Sequence, residues 1–256
     1  MNQNNSRGKR GTMSKLSLAF GWILLSLLGS QILPAAAEGY SVGLTEDKPY
    51  IHVIHEGKSV RIARIQDPNF ELRGYYAKTA RKCPPFCLKP MHAAPGVETI
   101  GEVELFDFME GPLRDGTGLL IDARTPAWHT KGTIPGAVSY PFTLLTKPAD
   151  DPVWDKILPK FGVVPARNTG LWEQILEKLG LREKRKVRGK WDFTHAKELV
   201  LFCNGPACGQ SPRAIRGLVA IGYPPEKIRY YRGGMQMWEI WGLTTVKPKS
   251  SGKPER

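Results

Sequence analysis

Four cysteines fall as two close pairs, Cys83/Cys87 and Cys203/Cys208. A thiolate is a nucleophile, a sulfur carrier and a metal ligand, so these are the first residues to weigh for chemistry. Cys203 follows the apolar run Leu199-Val200-Leu201-Phe202 and opens the stretch Cys203-Asn204-Gly205-Pro206-Ala207-Cys208-Gly209-Gln210. The run reads as a buried parallel strand. Ser211 and Pro212 then read as the N-cap and first turn of a helix whose apolar stripe is Ile215, Leu218 and Val219. Gly205 and Gly209 are expected to let the loop N–H groups turn inward, and the positive end of the helix aims at the same place. Such a nest lowers a thiol pKa and holds an anion against the sulfur. The expectation is a Cys203 sulfur kept ionised and exposed, able to attack a sulfur donor or to carry an outer sulfur as a persulfide. Asn204, Gly205, Pro206, Ala207, Gly209, Gln210 and Ser211 form the candidate anion loop, with Arg213 just beyond it.

Cys208 leaves three readings open. It resolves a persulfide or sulfenate on Cys203 by forming a disulfide, it is itself the reactive thiol, or it fills space. The resolving role is preferred. Cys83-Pro84-Pro85-Phe86-Cys87 closes a small disulfide, relays electrons to Cys203, or supplies two ligands to a four-sulfur zinc site with Cys203 and Cys208. The zinc spacing matches only loosely, so no metal or cofactor is assigned. None of His52, His55, His92, His129 and His195 is near Cys203 in sequence, which leaves a Cys–His protease without support. No phosphate loop or dinucleotide fingerprint is present. Trp128, Trp154, Trp172, Trp191 and Trp238 are expected to be core or interface anchors.

These residues need elements to hold them. Residues 50–65 read as a hairpin turning at Glu56-Gly57-Lys58, within an extension over 38–97 whose second half is broken by prolines. Val103, Phe106, Phe108 and Met109 predict a short helix, and Gly118-Leu119-Leu120-Ile121-Asp122 a buried strand ending in an acid. Gly132-Thr133-Ile134-Pro135-Gly136-Ala137 turns into a brief strand at Val138-Ser139-Tyr140. Residues 146–194 read as a helical, basic insertion. Ile228-Arg229-Tyr230-Tyr231 is a further strand, and Gly233-Gly234 opens a last helix through Trp238. Strands alternating with helices predict an α/β fold, a parallel sheet covered on both faces.

Three separated pieces resemble the rhodanese family. Leu120-Ile121-Asp122-Ala123-Arg124 with Gly132–Ala137 is similar to its first signature, Leu201-Phe202-Cys203 with Ser211-Pro212-Arg213-Ala214 to its active-site loop and helix, and Tyr231-Arg232-Gly233-Gly234-Met235 with Trp238 to its closing signature. The resemblance covers about residues 98–246. It implies a rhodanese-like domain that transfers sulfane sulfur through a persulfide on Cys203, with a small sulfur-containing anion or thiol acceptor as partner. A thiol–disulfide redox protein using Cys203/Cys208 with a protein redox partner, and a non-catalytic binding module, are the alternatives. Two departures stand out. No arginine lies within the loop, so anion binding would lean on backbone amides, and Thr133 stands where a histidine is common. Asp122 and Arg124 are read as a structural pair.

Residues 1–37 have basic Arg7, Lys9, Arg10 and Lys15, an apolar run over 16–33 and a small-residue end at Ala35-Ala36-Ala37. That is the layout of a secretory signal peptide, or of a membrane tether if uncleaved. A periplasmic or secreted location follows as the expectation, with residues 247–256 as a flexible tail. The formal net charge is +13, and removing four bases before Glu38 leaves 33 bases against 24 acids, or +9. Much of that excess is the run Arg182, Lys184, Arg185, Lys186, Arg188 and Lys190, which reads as a solvated loop. It lacks interleaved aromatics, so no nucleic-acid partner is expected.

Overall fold

The computed structural model describes residues 42–167, 170–182 and 185–248. The expected signal segment, Lys184 of the basic run and nearly all of the expected tail lie outside the described residues.

Tyr50–His55 (β1) and Lys58–Ala63 (β2) form an antiparallel hairpin. Its turn places Glu56 at φ 48° and Gly57 at φ 77°, two left-handed residues in succession as a tight twisted hairpin requires. Next come Glu98–Ile100 (β3), Glu102–Phe108 (α1), Gly118–Asp122 (β4), Pro126–His129 (α2), Val138–Ser139 (β5) and Phe142–Leu145 (α3). The insertion holds Val153–Ile157 (α4), Val164–Pro165 (β6), Leu171–Lys178 (α5), Val187–Arg188 (β7) and Trp191–Asp192 (β8). Glu198–Phe202 (β9), Gln210–Ala220 (α6), Ile228–Tyr231 (β10) and Gly234–Ile240 (α7) complete the order.

Among the described residues, β3-β10-β9-β4-β5 form one five-stranded sheet in which every neighbouring pair is parallel. Side chains alternate across a strand, so the apolar run of β9 feeds two cores. Leu199 and Leu201 pack with Ile121, Trp154, Ile215 and Tyr230, while Val200 and Phe202 pack with Leu120, Phe108 and Trp238. Both faces of the sheet are therefore covered, and the central strand is apolar from Leu199 to Phe202 because neither face meets water there.

The residues read as an extension contribute to the second core. Ile51, Val53, Ile62 and Tyr76 are buried there. The hairpin is also tied to the chain's other end, Ile65 donating to the Gly242 carbonyl at 2.8 Å and Thr244 to the Ala63 carbonyl at 3.1 Å. The insertion in turn fills the first core with Trp154, Phe161, Trp191 and Phe193. Trp238 is buried and Trp172 lies on the surface.

The basic run is largely paired. Arg182 meets Glu173 at 2.7 Å, Lys186 meets Glu226 at 2.6 Å and Lys190 meets Asp155 at 2.8 Å. Solvent-exposed pairs of this kind contribute little to stability. No helix of the described residues is long and apolar enough to cross a membrane.

Candidate active site

β9 ends at Phe202, and Cys203 begins the loop that leads to α6. Two contacts from α7 fix the start of that loop, Met235 donating to the Cys203 carbonyl at 3.0 Å and Gln236 to the Asn204 carbonyl at 3.1 Å. Gly205 is at φ 139°, and a Cβ there would stand 2.9 Å from that of Gln236, so both conformation and space call for glycine. Cys208 donates its N–H to the Gly205 carbonyl at 2.8 Å and closes the turn.

Helix entry differs from the sequence expectation. α6 starts at Gln210 with Gly209 as its N-cap, so Ser211 lies inside the first turn and does not cap it. The loop closes on itself by the Cys208–Gly205 bond, and the chain enters the helix directly afterwards. Freed from capping, the Ser211 hydroxyl donates to the Cys203 sulfur at 3.0 Å. Gly209, at φ −97°, has no conformational need for glycine, so only Gly205 shapes the turn as expected.

The exposure of Cys203 also differs from the sequence expectation. Cys203 is 2% exposed, not open to solvent. Its surroundings are nonetheless polar. The Ser211 hydroxyl is in contact, and the Cys208 carbonyl lies 3.6 Å away. Burial pushes the Cys203 thiol up. Hydrogen bonds from the Cys208 thiol, the Ser211 hydroxyl and the N–H groups of Ser211 and Gly205 outweigh that effect and bring it down to about 7. Cys208 moves the other way. Its thiol donates a hydrogen bond to the Cys203 sulfur and is itself largely buried, which pushes its pKa far above the ordinary range. Of the two thiols, Cys203 is therefore the one that ionises first.

Replacing Ser211 by alanine is expected to raise the Cys203 pKa. A hydrogen bond to a charged group is worth about 1.5–3 kcal/mol, or roughly one to two pKa units. The thiolate ultraviolet absorbance of Ser211→Ala, corrected with Cys203→Ser, reads this directly. A midpoint equal to that of the unaltered chain would show that the hydroxyl does not stabilise the thiolate.

Beneath the loop lies a buried charge cluster. Arg124 Nη2 donates to Asp122 at 2.6 Å and its Nε at 2.9 Å, while both side chains are essentially inaccessible. Thr133 donates to Asp122 at 2.9 Å, and His129 Nδ1 lies 2.9 Å from the same carboxylate. An imidazole therefore reaches this acid from a position four residues before the threonine. Arg124 also donates to Tyr76 at 3.2 Å, and Tyr76 donates to Asn204 Oδ1 at 2.8 Å. The cluster thereby holds Asn204, the residue next to Cys203. Tyr76 and His129 were not picked out by sequence, because only the fold brings them to Asp122 and Asn204.

The proline-rich segment lies over the loop. Lys89 donates its N–H to the Pro206 carbonyl at 2.9 Å, and Arg232 Nη2 holds the Lys89 carbonyl at 2.8 Å. Cys83 and Cys87 are joined as a disulfide, so neither is free to ligate a metal. Between segment and loop is a cavity of about 310 Å³ lined by Tyr75, Arg81, Phe86, Trp128, Cys208 and Arg213 among others. Cys203 is absent from this lining and lies behind Cys208. Two arginines line the cavity, Arg81 from the segment and Arg213 from α6.

A thiolate between a parallel-strand end and a helix N-terminus, over a buried acid–arginine pair, defines an α/β protein with a cysteine-centred loop. A family model described as Rhodanese-like domain matches residues 107–240, more than half of the sequence. The chain belongs to the rhodanese-like domain family. It is similar to a human single domain sulfurtransferase at 22% identity, covering 56% of this chain and 96% of that one, with a TM-score of 0.34. A rhodanese-related protein from Thermoplasma volcanium matches at 16% identity over 59% of this chain and 99% of that one, with a TM-score of 0.32. A rhodanese-like domain from Anabaena matches at 15% identity over 62% and 85%, with a TM-score of 0.32. No curated protein matches.

Proposed function

We propose that the protein is a sulfurtransferase that carries sulfane sulfur as a persulfide on Cys203. The observation that carries this reading is the Cys203 sulfur with the Ser211 hydroxyl at 3.0 Å and its pKa down to about 7. The Cys203 thiolate attacks the outer sulfur of a donor X–S. The Sγ–S bond forms as the X–S bond breaks, and X leaves with the electron pair. An acceptor thiolate then attacks the outer sulfur, takes it as its own persulfide and returns Cys203 as thiolate. Loop N–H groups and the start of α6 stabilise negative charge on either sulfur. Cys208 stands between Cys203 and the cavity, so its side chain swings aside when a donor enters.

One observation favours a second reading. Cys208, not Cys203, lines the cavity. In a Cys203–Cys208 disulfide an external thiolate would attack Cys208 and release Cys203 as the stabilised leaving group. The product would be a mixed disulfide on Cys208 and a Cys203 thiolate, which a protein redox partner would turn over. The signal-like layout of residues 1–37 and the Cys83–Cys87 disulfide support action outside the cytoplasm for either reading.

Intact-mass measurements after incubation with a sulfane-sulfur donor separate the two. Sulfur transfer is expected to add one sulfur to the unaltered chain and to Cys208→Ser but not to Cys203→Ser. A reversible loss of two hydrogens that needs both cysteines, with no added sulfur, would put the redox reading in its place.

A further inference from the structure

We infer that the cavity over Cys208 binds an organic thiosulfonate-type anion with an aromatic or aliphatic body, in preference to inorganic thiosulfate, and that Arg81 is its anion-recognising residue. The naming of a sulfur donor rests on the sulfur-transfer reading, whereas the site itself rests on the cavity.

Size is the first argument. A cavity of about 310 Å³ is of the order that holds a small organic ligand, and roughly ten times the volume of a water molecule. A bare oxyanion leaves most of it unfilled. The walls are the second. Tyr75, Phe86 and Trp128 present aromatic surface, and Tyr75 and Trp128 brace each other with ring centroids 4.5 Å apart. Such walls favour a ligand with an apolar body.

Charge is the third. Arg81 and Arg213 line the cavity, and neither aspartate nor glutamate lines it among the described residues. Arg81 is already held in place. Its guanidinium stacks 3.9 Å from the Tyr75 ring centroid and 5.4 Å from that of Phe86, and its Nη2 donates to the Tyr75 carbonyl. Its Nε is buried and has no hydrogen-bond partner. Arg81 nonetheless lines the cavity, and a guanidinium suits a sulfonyl group, whose oxygens accept its hydrogen bonds. The guanidinium that the loop lacks is thus supplied by the proline-rich segment. A donor bound there would direct its terminal sulfur to the loop wall at Asn204, Gly205 and Cys208, behind which Cys203 lies.

Benzenesulfonate has this shape and charge but no transferable sulfur, so its binding to the full chain by titration calorimetry tests the site apart from the reaction. It is expected to bind the unaltered chain and Cys203→Ser alike, and sulfate at least about tenfold more weakly. Arg81→Met should weaken benzenesulfonate by about tenfold or more, Arg81→Lys should keep part of the affinity, and Phe86→Ala should lose several-fold. Phe86 is partly exposed, so its variant keeps the test alive if Arg81→Met does not fold. Benzenesulfonate binding no tighter than sulfate, or as tight to both Arg81→Met and Phe86→Ala as to the unaltered chain, would overturn the inference. If the site binds as expected and benzenethiosulfonate leaves no sulfur on Cys203, the sulfur-transfer reading fails and the site stands.

Discussion

Replacing Arg124 by methionine is expected to destabilise the fold by about 3–5 kcal/mol, a large part of the roughly 5–15 kcal/mol that holds a domain together. The guanidinium is 1% exposed and spans three groups, donating to Asp122, to Tyr76 and to the Gly132 carbonyl. Its removal leaves the Asp122 carboxylate buried with only Thr133, His129 and a backbone N–H beside it. A domain of this size should melt roughly 10 °C lower. Denaturant unfolding and a thermal melt of Arg124→Met check the size of the loss, and a change below about 1 kcal/mol would show that the pair is dispensable. pH carries a second signature. Burial pushes the Asp122 carboxyl up, but the hydrogen bonds of Arg124 and His129 hold it below the usual value. A carboxyl lowered in the folded state adds stability above its unfolded pKa and loses it as pH falls through the folded one. The unaltered chain should therefore shed stability below about pH 4, and Arg124→Met should lack much of that dependence.

Cys203→Ser is expected to lower sulfur transfer by about three orders of magnitude or more, because a serine hydroxyl is not ionised near neutrality and cannot carry the outer sulfur. Steady-state formation of persulfide on an acceptor thiol measures it. Cys208→Ser keeps the carrier sulfur and a hydrogen-bond donor, so turnover should survive with a pH optimum moved by a smaller amount. Equal loss in both variants would contradict a persulfide on Cys203 alone and favour the two-cysteine exchange. The fold itself should survive both changes, since a sulfur-to-oxygen exchange leaves the packing around Phe202 and Ser211 nearly the same in volume.

The sheet and the place of Cys203 at a strand end were legible because their signals are local. Leu199–Phe202 is a continuous apolar run, which only a strand buried on both faces requires, and the glycine-bearing loop after it marks that strand's C-terminal end. Asp122 and Arg124 were legible as a pair because both stand at the end of a second such strand. What resisted reading was set by distance along the chain or by a single residue of phase. Ser211 fits an N-cap by type, yet the helix starts at Gln210, and that shift turns its hydroxyl onto the sulfur. The exposure of Cys203 was misjudged because Cys208 and the loop close over it, a tertiary effect that no spacing rule records. Tyr76 and Arg81 sit among prolines with no periodicity, where aromatic and arginine residues have only long-range partners to fix them.

β3 is an edge strand paired only with β10, and it lies outside residues 107–240. The hairpin residues Ile51, Val53 and Ile62 and the cavity wall at Tyr75, Arg81 and Phe86 lie outside them as well. A fragment cut to the family boundary would uncover a row of unpaired amides along β10 and an oily scar on one face, the two features that make proteins stick to themselves. It would also lack the aromatic and arginine side chains of Tyr75, Arg81 and Phe86 in the cavity wall. A fragment that keeps this sheet and its second core intact therefore has to be larger than the family unit.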